Sequence, residues 1–140
     1  MAPQLQDIMT KQVQTVRTDA PLLEVARIMR DRRIGDVLVT DEDGSLCGIV
    51  TDRDIVVRAV AAGLPLDETT VGEICSEDLV QVDATASIEE IIRIMREHAI
   101  RRVPVVHGDR PIGIVSIGDL ARYKDPSSAL AEISSAAPNN

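Results

Sequence analysis

The sequence predicts a mixed α/β (α+β) fold, built from one strand-helix-strand-strand-helix unit written twice. Two observations carry this. Laying residues 5–55 over 71–120, with one residue dropped from a turn of the second copy, brings Glu24, Arg27, Ile28, Met29, Arg30 and Ile34 onto Glu90, Arg93, Ile94, Met95, Arg96 and Ile100, and such self-similarity marks an internal duplication. In both copies, a stretch of helical apolar spacing is followed by two short β-branched runs around a turn. A chain of 140 residues buries one ordinary core. Neither copy alone can cover both its helices and its sheet, so the two are expected to pack sheet to sheet about a pseudo-twofold axis.

The elements follow in order. DIMTKQVQTV faces EICSEDLVQV, and each ends in a first short strand. Leu22, Val25, Ala26 and Met29, like Ile88, Ile91, Ile92 and Met95, fall at i, i+3, i+4, i+7 and give each copy one apolar helix stripe. Ser87 with Glu90 forms a capping box at the second of these helices, and Pro21 suits the start of the first. Val37-Leu38-Val39 and Val103-Pro104-Val105-Val106 open hairpins that turn at DEDG and HGDR and return through Cys47-Gly48-Ile49-Val50 and Ile112-Gly113-Ile114-Val115. Thr51 is then the N-cap of a helix through IVVRAVAA that stops at Gly63 and Pro65, and Ser116 opens its counterpart. The chain divides into repeat 1 at 5–63, a connector at 64–70, repeat 2 at 71–124 and a loosely held tail at 125–140 with room for a short helix.

Composition removes several classes of function. A formal charge of −8 is the wrong sign for a nucleic-acid backbone. With no Phe or Trp and only Tyr123, the chain offers no stacking platform for bases, and a planar ligand must lie between aliphatic groups. No apolar run approaches the roughly 20 residues of a membrane span, and MAPQLQDIM lacks the basic and apolar pattern of a secretory signal, so a cytoplasmic protein is expected. Cys47 and Cys75, and His98 and His107, have neither CxxC nor i, i+4 ligand spacing, so buried free thiols and no metal site are expected. There is no P-loop, Ser-His-Asp set or Cys-His set, so the chain does not read as an enzyme.

The remaining chemistry sits in GIVTDRD at 48–54 and GIVSIGD at 113–119, where a hydroxyl stands three residues before a carboxylate at a strand end. Asp54 and Asp119 could accept hydrogen bonds from the two hydroxyls of a ribose, with Thr51 and Ser116 at the helix N-terminus beside an anionic group. The same pairs also suit reciprocal helix caps. Both readings stay open.

The paired pattern MTxxVxTV, helix, hPVV, turn, Gh[VI][TS]xxD over residues 5–124 resembles the CBS-domain pair, or Bateman module, in its standalone bacterial form. That resemblance implies a regulatory module that binds AMP, ADP, ATP or S-adenosylmethionine in clefts between the copies and dimerises through its helices. It also implies that polar or basic residues before the hPVV strand reach a ligand whose ribose is held by the other copy's aspartate. On that basis the main site takes Thr51, Asp54, Arg101 and Arg102, with Val16, Ala20, Val25 and Ile34 around the adenine. A weaker site takes Ser116, Asp119, Val82, Ala86 and Ile100, because Gly35 and Asp36 stand where the arginine pair stands in the other copy. An interaction protein with the same fold and no nucleotide, and a redox or metal sensor through Cys47 and Cys75, are the other functions weighed.

Overall fold

A computed structural model describes residues 4–11, 13–75 and 79–124. The tail and its expected short helix lie outside those residues. The elements are α1 (Leu5–Ile8), β1 (Thr15–Arg17), α2 (Leu22–Arg32), β2 (Asp36–Thr40), β3 (Leu46–Thr51), α3 (Asp52–Asp54) running straight into a π-helix (Ile55–Val60), α4 (Val71–Ile74), β4 (Val82–Asp83), α5 (Ile88–His98), β5 (Arg102–His107), β6 (Arg110–Ser116) and α6 (Ile117–Lys124). Each copy thus keeps the expected order and adds a one-turn helix, α1 or α4, before its first strand. Each of these turns is held by a local acid, with Gln4 N–H donating to Asp7 at 2.8 Å and Thr70 N–H to Glu73 at 2.6 Å. Four residues are too few for apolar periodicity to show.

Two three-stranded sheets result, ordered β1-β2-β3 and β4-β5-β6. In each, the first strand runs parallel to the middle one and the hairpin is antiparallel. The duplication extends to the irregularities, because the ladder slips between Val39 and Thr40 and again between Val105 and Val106. The dropped residue is absorbed at the turns. The first is held by Asp41 Oδ1, which accepts from Asp43 and Ser45 N–H, while the second is a two-residue turn with Gly108 at φ 64°, a conformation glycine adopts without strain.

The described residues fall into two compact units, one within 14–79 and the other drawing on residues up to 13 and from 80 onward. The first is centred on Leu22, Val25 and Met29 of α2, Val37 and Val39 of β2, Val50, Ile55 and Ala59, together with Val71 and Ile74 of α4. The second is centred on Ile88, Ile91 and Met95 of α5, Val103, Val105, Val115 and Leu120, together with Leu5 of α1. The leading helix of each copy therefore contributes to the core of the other. Leu5 and Val71 are essentially inaccessible, and burying such a side chain contributes about 1.5–3 kcal/mol.

Three local expectations are corrected. Ala26 and Ile92 are only partly buried, so each helix stripe is narrower than its spacing suggests. Ser87 accepts from Glu90 N–H at 3.1 Å, but the Glu90 carboxylate lies by Arg93 at 4.0 Å, so only half of the capping box forms. The second helix of repeat 1 is α-helical for one turn and then widens, with Ala61 N–H donating to Val56 O and Leu64 N–H to Ala59 O across five residues. The β-branched run there is a poor α-former. Ile55 and Ala59 face the core, whereas Val56, Val57 and Val60 are more than half exposed.

Candidate functional site

Each strand that carries the hydroxyl-carboxylate pair ends directly in a helix, and the pair closes that junction. Thr51 is the N-cap of α3, with φ −112° and ψ 163°. Its Oγ1 accepts from Asp54 N–H at 3.1 Å, and its own N–H donates to Asp54 Oδ2 at 2.9 Å. Ser116 and Asp119 repeat the arrangement at 3.1 and 2.8 Å. Both expected pairs are therefore reciprocal caps, which use one carboxylate oxygen and leave the other for further partners.

The second oxygen distinguishes the copies. Asp119 is 3% exposed at its side chain, and its Oδ1 accepts from the Arg122 guanidinium one helical turn on. Asp54 is 23% exposed, and among the described residues the cation nearest its Oδ1 is Arg58 Nε at 3.9 Å, while Arg58 also donates to Ile74 O. Arg58 and Arg122 went unremarked in the sequence, although i, i+4 and i, i+3 spacing from the aspartates was the available signal. Of the two carboxylates, that of Asp54 is the more exposed.

The residues before the middle strands differ in charge. In the second unit Arg102 stands opposite Ser116 in the sheet, and Arg101 O accepts from Ile117 N–H at 2.9 Å, so the exposed arginine pair borders its own copy's device. In the first unit Asp36 stands opposite Thr51, Gly35 O accepts from Asp52 N–H at 3.0 Å, and a Cβ on Gly35 would come within 3.3 Å of the Asp52 carboxylate. One device lies among arginines and the other among carboxylates. Thr51 and Asp54 thus belong to one unit, and Arg101 and Arg102 to the other.

Both dipeptides follow a left-handed residue, Arg33 at φ 56° and Ala99 at φ 52°. A side chain there carries backbone strain that surrounding packing must hold. That turn delivers Ile34 and Ile100, both partly buried, to the edge of each core.

Of the aliphatic residues expected around adenine, Val16 and Val25 are buried in the first core and Val82 in the second, where packing occupies them. Ala20, Ile34, Ala86 and Ile100 are partly buried and keep some surface. The two cysteines belong to one unit, packed against one core and half-buried rather than buried. Cys47 Sγ lies 3.3 Å from Val39 O, and burial, with Cys75 and Asp41 nearby, pushes its thiol above the ordinary range. Among the described residues, no group of three or more His, Cys, Asp or Glu is placed to hold a metal ion, and no helix is long and apolar enough to cross a membrane.

Comparison with known proteins agrees with the duplicated architecture. The family model for the CBS domain matches residues 5–60 and again 71–125. Hypoxic response protein 1 of Mycobacterium tuberculosis is 42% identical over 117 residues, covering 84% of this chain and 82% of that protein. A crystal structure of Hypoxic Response Protein I, described with two coordinated zinc ions, superposes with a TM-score of 0.79 at 40% identity over 86% of this chain and 98% of that one. The CBS domain pair of protein MJ0100, solved with 5′-methylthioadenosine and S-adenosyl-L-methionine, superposes with a TM-score of 0.77 at 26% identity over 91% and 100%.

Proposed function

The chain belongs to the CBS-domain family, and from that premise we propose that it is a nonenzymatic cytoplasmic regulatory module that senses an adenosine-containing metabolite, AMP, ADP, ATP or S-adenosylmethionine. The observation that carries this is Asp54. Its carboxylate is fixed by the cap with Thr51, yet its side chain stays partly exposed, and among the described residues the ion pair of Oδ1 is a long one, to Arg58 at 3.9 Å. A held and partly exposed carboxylate is what a ribose diol needs, since little is reorganised on binding. The adenosine ligands of the MJ0100 pair support the ligand class.

In this reading Thr51 and Asp54 hold the ribose, with Ala20 and Ile34 as the apolar edge and Val16 and Val25 behind them. Arg101 and Arg102 supply the cations for phosphate. The immediate neighbours of Asp54, Asp36 and Asp52, would repel a phosphate, so the charge must come from elsewhere. Ser116 and Asp119, with Val82, Ala86 and Ile100, form a weaker site, because Arg122 already claims the second oxygen of Asp119.

Calorimetry with AMP, ADP, ATP and S-adenosylmethionine tests this. One charge-assisted hydrogen bond contributes about 1.5–3 kcal/mol, so Asp54→Ala and Arg102→Ala should each weaken binding about ten- to a hundredfold. Loss of binding in Asp119→Ala but not in Asp54→Ala would move the ribose to the device that borders the arginine pair. Absence of binding below millimolar concentration for all four ligands would sink the sensor reading.

One observation favours a second reading. Both carboxylates are satisfied as helix caps without any ligand, so the same architecture serves an interaction protein with no resident nucleotide. Unchanged partner capture by an Asp54→Ala, Asp119→Ala double variant would select it. In either reading, the exposed Val56, Val57 and Val60 are the face through which we expect a homodimer.

A further inference from the structure

Arg58 lies on the π-helix one turn beyond Asp54 and stands between two acceptors of its own unit. Its Nε is 3.9 Å from Asp54 Oδ1, too far for a hydrogen bond, while its Nη1 donates to Ile74 O at 3.0 Å. Ile74 is the last residue of α4, and the turn is closed by Cys75 N–H donating to Val71 O at 2.9 Å. An arginine on a last-turn carbonyl supports a helix end. The carbonyl, rather than the carboxylate, has the closer hold on this guanidinium.

The second copy shows the other arrangement. There the Arg122 guanidinium donates directly to Asp119 Oδ1, and the Asp119 side chain is 3% exposed where that of Asp54 is 23% exposed. Ile8, which ends α1, holds the repeat position of Ile74, but Tyr123 holds that of Arg58, so the second copy has no cation at the position from which Arg58 reaches α4. An arginine within one turn of the aspartate is thus either drawn off to a helix end or closed on the carboxylate.

We propose that Arg58 is a latch on Asp54 that α4 sets. While Ile74 O holds the guanidinium, the Asp54 carboxylate is available to the ribose hydroxyls. When α4 loosens, Arg58 closes on Asp54 as Arg122 closes on Asp119, and the site is shut. A ligand on Oδ1 in turn removes the competing acceptor and fastens Arg58 to α4, because coupling between two sites is reciprocal. In sequence α4 opens the second repeat, yet Val71 and Ile74 pack in the first core. The latch therefore makes one repeat's carboxylate answer to the other repeat's first element. This regulation rests on the reading of Asp54 as a ribose acceptor.

Hydrogen exchange at the Cys75 amide of the full chain, without ligand, tests the competition. Asp54→Asn keeps an oxygen for the cap but removes the charge, so Cys75 should exchange about two- to fivefold more slowly. Arg58→Met should speed that exchange by about the same factor, and Asp54→Asn added to Arg58→Met should change nothing further. An Asp54→Asn effect of equal size with and without Arg58 overturns the latch. Faster exchange in Asp54→Asn alone also overturns it, because the carboxylate would then be holding the arginine in place. The cycle needs no nucleotide, so it decides on Arg58 even where calorimetry finds no adenosine ligand and the ribose reading fails. In protein that binds AMP, Glu73→Ala removes the acceptor that holds the start of α4. It should weaken binding about threefold or more with Arg58 present and leave it unchanged in Arg58→Met; equal weakening in both overturns the gating.

Discussion

Asp119 accepts from Ser116 N–H through one oxygen and from the Arg122 guanidinium through the other, and it is almost fully buried. Asp54 makes the same cap, but its side chain is 23% exposed. The two residues occupy one motif and carry different shares of structural work. Removing a cap costs about 1 kcal/mol, and removing Asp119 also takes away its ion pair with Arg122, whose guanidinium is more than a third exposed and can return to water, a loss of at most about 1 kcal/mol. Asp54→Ala should therefore lower unfolding free energy by about 1 kcal/mol and Asp119→Ala by about 1–2 kcal/mol, read by urea denaturation. Equal losses would mean that Arg122 contributes nothing beyond the cap. At this scale the sequence was readable for the caps, since hydroxyl and carboxylate sit three residues apart, but it was silent on burial, which depends on what packs over the helix.

The same sequence device is followed by different helices. After Asp54 the chain widens into a π-helix that buries Ile55 and Ala59 and leaves Val56, Val57 and Val60 in solvent, whereas α6 buries Gly118, Asp119 and Leu120. Three exposed valines on one short element form an apolar surface of the kind that marks an interface. If a homodimer forms there, a Val56→Asp, Val60→Asp double variant should sediment as a monomer while its circular dichroism is unchanged. A variant that remains a dimer would place the interface elsewhere. Periodicity revealed the long helices α2 and α5, because their stripes span three turns. It missed α1 and α4, which have one turn each, and it could not distinguish five-residue from four-residue hydrogen bonding.

For the whole molecule, the notable feature is the exchange of leading helices, with Leu5 in the core of the second copy and Val71 and Ile74 in that of the first. Leu5→Ala should cost about 2–5 kcal/mol as a buried large-to-small change. Its effect should reach amides of Val103 and Val105 before those of Val37 and Val39, as measured by hydrogen exchange; loss first at Val37 would contradict the assignment of α1 to the second core. The sequence by itself determined the duplication, the order of strands and helices, the reciprocal caps and the family, because each is written in spacings of a few residues or in their repetition. Only the tertiary structure decided which core each leading helix joins, which of the two aspartates is buried against a close cation and which charges border each device. Those outcomes join residues distant in sequence, such as Arg102 with Ser116 and Asp36 with Thr51, and strand register rather than local spacing brings them together.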